Sequence, residues 1–180
     1  MGKILHRGAS LKKRLKLFDA TVGSCLLWCA ESWTLRQEDA QALKSAQNKM
    51  LRSITGIRRR PDEEYVSWIQ RATRKARSLA SAHGVRFWDV TYGRLQWRWA
   101  GHVARRAPSE WVWKVTFWRD GEWTSLMKRY IDRPLRARPG RWSRWEDAVI
   151  KKAASMEWPI WRIAAENRQE WRDAADQLVF

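Results

Sequence analysis

Few residues in this chain combine a reactive side chain with a spacing that chemistry could use. Cys25 and Cys29 stand one helical turn apart, where two thiolates could share a zinc ion. The three histidines, His6, His83 and His102, add no ligand at the required spacing. The plainer reading is a pair of small apolar residues buried on a helix stripe. Asp62-Glu63-Glu64 resembles a metal cluster only superficially, because acids at a helix start compensate the positive end of the helix dipole. Two-metal phosphoryl transfer needs carboxylates converging from separate elements, and no glycine-rich phosphate loop occurs. The expectation is therefore no catalytic residue, no metal, no cofactor and no small-molecule substrate.

Arginine is what the sequence offers instead. Arg58-Arg59-Arg60 follows a helix stop, where the last carbonyls also favour cations. Arg133, Arg136, Arg138, Arg141 and Arg144 are interleaved with Trp142 and Trp145. Guanidinium forks grip phosphates in bidentate fashion, and an indole face can stack an unpaired base. A triple arginine can equally be a solvated loop, and tryptophans at helical spacing are more often core than platform. Trp142, set in a basic run before a helix cap, is the best stacking candidate. The candidate nucleic-acid-binding set is Arg58, Arg59, Arg60, Arg105, Arg106, Arg136, Arg138, Arg141, Trp142 and Arg144.

Gly101-His102 falls inside a helix, where glycine costs about 1 kcal/mol relative to alanine. Close approach of another backbone would offset that cost. His102 has no visible carboxylate partner and reads as a structural hydrogen-bonding residue rather than an acid–base group.

Helices must position these residues, since the apolar pattern is helical nearly throughout. Leu11, Leu15, Phe18, Val22, Cys25 and Cys29 share one face. Thr34 with Gln37 forms a capping box, opening a stripe through Leu43, Ala46, Met50, Ile54 and Ile57 that Gly56 stops. Pro61 to Glu64 reads as the first turn of a helix carrying Tyr65, Ile69, Ala72, Ala76 and Leu79 as far as His83-Gly84. The next helix carries Trp88, Tyr92, Leu95, Trp99 and Val103 on one side, leaving Arg94, Arg98, Arg105 and Arg106 to solvent, and Pro108 ends it. Trp111 to Trp118 alternates as a strand would and also fits a helix, which is preferred because a lone strand has no obvious partner. Arg133 to Arg141 reads as a basic linker. Ser143 with Glu146 caps a helix through Trp145, Val149, Ala153 and Met156. A last helix runs from Pro159 through Ile160, Ala164, Trp171, Ala175 and Leu178.

Composition agrees with a polyanion partner. The 180 residues make room for one domain or a small pair, and 36 Lys and Arg against 19 Asp and Glu give a formal charge of +17. That balance argues against an ordinary metabolic enzyme. An apolar share of 44% still supports a core, and 15 tryptophans are a large excess. No window has the length of a membrane span. The basic, acid-free run Met1 to Phe18 fits a mitochondrial leader as well as a helix, and helix is the preferred reading. Two cysteines cannot build a disulfide framework, so an intracellular, nuclear or cytoplasmic setting is expected.

Several blocks together resemble a known family. Leu27 to Leu35 (LWCAESWTL), then Gln47 and Leu51 to Gly56 (LRSITG), resemble the segment that follows the polymerase palm in non-LTR (LINE-type) retrotransposon reverse transcriptases. Leu95 and Trp99-Ala100-Gly101-His102-Val103-Ala104-Arg105 look like their W-x-G-H-x-x-R block. Arg138 to Asp147 is similar to their G-R-P…R-W-x-D block, with Trp142 near the family's proline. Trp161, Ala165-Glu166-Asn167-Arg168 and Trp171-Arg172 match the closing W…A-x-D-R-x-x-W-R, with Asn167 for aspartate. Trp28-Cys29 replaces the usual Tyr-Gly, and both the catalytic Y-x-D-D and the cysteine-histidine knuckle of some members are missing.

The resemblance implies a thumb and post-thumb region that grips a template–primer duplex without polymerase activity of its own. Gly101, His102, Trp145, Arg168 and Trp171 would be its structural motif residues. The expected fold is all-α: a thumb-like helical bundle over residues 1–107, a basic connecting segment over 108–141 and a C-terminal helical pair over 142–180. The expected partner is nucleic acid, whether RNA, DNA or an RNA–DNA hybrid. The alternatives are a basic helical protein that binds an acidic protein or membrane surface, and a degenerate retroelement remnant with no activity.

Overall fold

The computed structural model describes residues 9–117 and 145–176. Among these residues every regular element is helical and none is a strand, so the fold is all-α. None of the described helices is long and apolar enough to cross a membrane. The chain divides into two compact units: one comprises the residues up to Cys29 with Arg36–Tyr92, the other Ala30–Leu35 with the residues from Gly93 onward.

In the first unit, Ser10 caps α1 (Leu11–Phe18) by accepting the Lys13 N–H at 3.4 Å. A π turn (Asp19–Gly23) follows, then a short α2 (Ser24–Leu26). A π turn inserts an extra residue into the helical repeat, and the buried stripe shifts with it. Leu15 and Phe18 are buried as their spacing predicts, but from the last residue of the turn onward the inward positions are Gly23 and Leu27. Cys25 and Cys29 are both exposed, which corrects the expected buried pair.

The next helix, α3 (Gln37–Thr55), starts at an Arg36 cap rather than at Thr34. Arginine has no acceptor to offer the first N–H groups, so only the acidic half of a capping box forms, with Asp39 accepting the Arg36 N–H at 3.0 Å. Gly56 closes the helix in the left-handed conformation, φ 64°, as a glycine stop should. Gln47, Leu51 and Ile54 form the buried face, whereas Met50 is 42% exposed. The expected stripe is thus out of phase at Ala46 and Met50. The cause is Gln47, whose amide donates to the Arg86 carbonyl at 2.8 Å and accepts the Trp88 N–H at 3.0 Å. Both ends of the side chain are satisfied, so a polar residue can occupy the core.

Packed along α3 is α4 (Tyr65–Ala82), which buries Ala72, Ala76 and Ala80, side chains small enough to let the two helices approach closely. It begins later than expected, with Glu64 as cap and no acid in its first turn. Glu63 instead takes a bidentate fork from Arg71 at 2.6 and 2.7 Å and the Arg60 N–H at 3.2 Å. Glu63 therefore closes a turn through an ion pair, and of the acidic run it is Glu64, at the cap, that stands at the positive end of the helix.

The second unit is built on α5 (Trp88–Ala104), whose first turn belongs to the first unit. It adds α6 (Trp111–Phe117), which settles the strand-or-helix ambiguity as helix, and α7 (Trp145–Ala154). The single last helix expected from Pro159 onward is two: α8 (Trp161–Ala164) and α9 (Arg168–Asp176). Asn167 makes the break, its side-chain oxygen accepting the Glu170 N–H at 3.3 Å in the manner of an N-cap. Trp97, Ala100, Val103, Val149, Ala153, Trp161, Ala165, Trp171, Ala174 and Ala175 form one core. Trp97 lies outside the stripe expected for α5, whose Trp99 is only half-buried.

Candidate nucleic-acid interface

Positions 98, 102 and 105 fall on one side of α5 and its last turn, and positions 168 and 172 fall one turn apart on α9. These two faces bound a cleft of about 560 Å³ lined by Arg98, His102, Arg105, Arg106, Glu110, Arg168, Trp171 and Arg172. Five guanidinium groups and one imidazole thus face a single carboxylate.

The wall is held by specific contacts. Arg105 donates to the Ala165 carbonyl at 2.5 Å, which anchors the end of α5 to the turn before α9. Arg106 donates through Nε to His102 Nε2 at 3.1 Å and pairs with Glu110 at 3.3 Å. His102 therefore uses Nε2 as an acceptor and carries its proton on Nδ1, while its ring stacks on Trp99 with centroids 5.1 Å apart. Arg98, Arg168 and Arg172 are exposed and form no ion pair with an acid among the described residues. They are the groups left to meet an anion.

The electrostatics show an unneutralised site. Burial, then Arg106 and Arg105, push the His102 pKa below its ordinary value; Arg168 adds to this and Glu110 opposes it. Burial and the nearby Arg168 likewise disfavour the charged form of Arg105. A bound anion would offset these penalties by favouring the charged form of each group.

Close packing fixes the cleft's geometry. A Cβ built on Gly101 would lie 2.5 Å from Trp171 Nε1 and 2.6 Å from its Cδ1, inside any real contact distance. Glycine inside α5 is thus explained by a close approach, as expected, but the approaching group is an indole rather than a backbone.

Of the residues singled out in the sequence, Gly101, His102, Arg105, Arg106, Arg168 and Trp171 meet at this cleft. Trp145 lies at the start of α7 and donates its indole N–H to the Glu31 carbonyl at 2.5 Å. Arg58, Arg59 and Arg60 are exposed in the first unit, where Arg59 donates to the Glu63 carbonyl at 2.5 Å. Arg136, Arg138, Arg141, Trp142 and Arg144 lie outside the described residues, as does the Ser143 cap. Sequence reasoning missed Arg98 and Arg172 as site residues. No local signal marks them: each directly follows a tryptophan that the structure buries, Trp97 or Trp171, and that burial depends on the packing of α5 against α9.

Among known proteins, the chain is similar to a transposon-derived protein of Caenorhabditis elegans, 27% identical over 177 residues covering 89% of this chain. The chain spans about half, 53%, of that relative's length. No family model matches the sequence, and no solved structure matches it.

Proposed function

We propose that this chain is the thumb and post-thumb region of a protein derived from a non-LTR retrotransposon reverse transcriptase, and that it grips nucleic acid without polymerising it. The observation that carries this reading is the meeting of two sequence blocks. Trp99 to Arg105 and Ala165 to Arg172 are far apart in the chain, yet they build one arginine-lined cleft, with Arg105 on the Ala165 carbonyl and Gly101 against Trp171. A transposon-derived relative and a formal charge of +17 support the same reading.

The mechanism is electrostatic. Arg98, Arg168 and Arg172 take phosphate oxygens and release counterions, which gives affinity with little sequence preference. The triple Arg58-Arg59-Arg60 would add backbone contacts from the first unit. Polymerase activity would need the Y-x-D-D carboxylates, which this sequence does not contain. The test is equilibrium binding of a labelled RNA–DNA hybrid, single-stranded DNA and duplex DNA at low salt. Binding is expected, tightest to the hybrid; failure of a folded sample to bind any of the three overturns the proposal.

A further inference from the structure

Within that nucleic-acid reading, on which this inference rests, the geometry points to a narrower ligand: the cleft between α5 and α9 is a seat for the phosphorylated end of a strand, a phosphate monoester, rather than a rail for internal phosphodiesters.

Three observations carry it. The cations come from two helices and line one cleft of about 560 Å³, so they converge on a shared concave space instead of tracking a ridge along one helix. An internal phosphodiester bears about one negative charge and exposes two non-bridging oxygens, whereas a terminal monoester bears about −1.5 to −2 at neutral pH and offers three acceptor oxygens. Arg98, Arg168 and Arg172 supply three guanidinium forks with no acid partner among the described residues, matching the richer acceptor set.

The remaining lining is already committed. Arg105 is tied to the Ala165 carbonyl, Arg106 is shared between His102 and Glu110, and Glu110 also accepts the Ala107 N–H at 3.2 Å. Glu110 is therefore occupied on its own side and does not neutralise the three open forks. The burial penalty on Arg105 and its repulsion by Arg168 are offset most by a compact dianion, and least by a monoanion spread along a backbone.

The experiment compares one short, internally labelled single-stranded DNA in three forms: 5′-phosphate, 3′-phosphate and hydroxyl at both ends. The full chain and its Arg98→Ala and Arg168→Ala variants are used, with unfolding midpoints recorded for each. At least one phosphorylated form is expected to bind roughly tenfold more tightly than the hydroxyl form, the scale of one charge-assisted contact. That advantage should fall to near unity in both variants and be competed by millimolar inorganic phosphate. Equal affinity for all three forms overturns the strand-end assignment and leaves the nucleic-acid reading standing. Binding of none overturns both. An advantage that survives in variants of unchanged stability places the end elsewhere and also overturns the assignment. So does Arg168-dependent binding to phosphatidylinositol bisphosphate vesicles without any end preference, which would mark a lipid headgroup site.

Discussion

Trp97 and Trp171 exchange hydrogen bonds: each indole Nε1 donates to the other residue's backbone carbonyl at 2.9 Å, with the rings stacked 3.8 Å apart and 3° from parallel. This reciprocal pair clamps α5 to α9 at the depth of the second core. Trp158 stacks beside it, 6.2 Å from Trp97 and 5.8 Å from Trp171. The residue after each clamped tryptophan is a cleft arginine, Arg98 in one case and Arg172 in the other. Core packing and the spacing of the charged groups are thus set by the same contact.

Trp97→Phe and Trp171→Phe should each destabilise the fold by about 1–2 kcal/mol, through removal of an indole donor and weaker stacking. Each substitution removes only its own indole donor, since both acceptors are backbone carbonyls, so the two share only the ring stack, and the double variant should depart from the sum by about 0.5–1.5 kcal/mol. Denaturant unfolding of the four proteins measures this; strict additivity would mean that the pair does not act as a unit.

Gly101→Ala should cost about 1–3 kcal/mol by overpacking, because its Cβ meets the buried Trp171 ring rather than a flexible side-chain end. It should also weaken anion binding by displacing α9. Gly56→Ala is the control: nothing lies within 4 Å, and only the strain of φ 64° is felt, about 1 kcal/mol with binding unchanged. Equal binding by both variants would separate the core from the cleft.

The bidentate fork from Arg71, aided by the Arg60 N–H, lowers the Glu63 pKa from 4.5 to about 2. A depressed folded-state pKa contributes stability that is complete above the unfolded value and lost as pH falls through the folded one. The difference in Tm between wild type and Glu63→Gln should therefore be full at neutral pH and close between about pH 4.5 and 2. A gap that persists to the acid end contradicts the pairing.

Much of this arrangement was legible in the sequence, because helical periodicity, glycine stops and proline breaks are local signals. Gly56 and the extent of α4 to His83-Gly84 follow from such signals. What escaped were effects that depend on tertiary context. A π turn shifts the register by one residue and turns Cys25 outward. Gln47 enters the core only because the Arg86 carbonyl and Trp88 N–H are there to meet it. In the candidate site, Gly101, His102, Arg168 and Trp171 were visible as motif residues. Arg98 read as one of several arginines on a solvent face, since convergence of two helices leaves no mark on either alone.

Anion binding should strengthen as pH falls through the His102 transition. Burial, then Arg106, Arg105 and Arg168, disfavour its protonated form in the free cleft while Glu110 favours it, and a bound phosphate adds a second favourable charge. The bound-state pKa then exceeds the free one, and binding takes up a proton. Titration of the imidazole by NMR, free and with oligonucleotide, should show the upward shift; its absence would place the anion away from His102.

Gripping by the cleft is tested most directly by the salt dependence of hybrid binding for wild type and for Arg98→Ala, Arg168→Ala and Arg172→Ala. With a hybrid that carries a terminal phosphate, each substitution should make the log–log salt slope shallower, by at most about 0.7–0.9, the increment of one neutralised phosphate, with the unfolding midpoint unchanged. Slopes identical to wild type in all three folded variants would contradict gripping by these arginines and place the nucleic acid elsewhere on the protein.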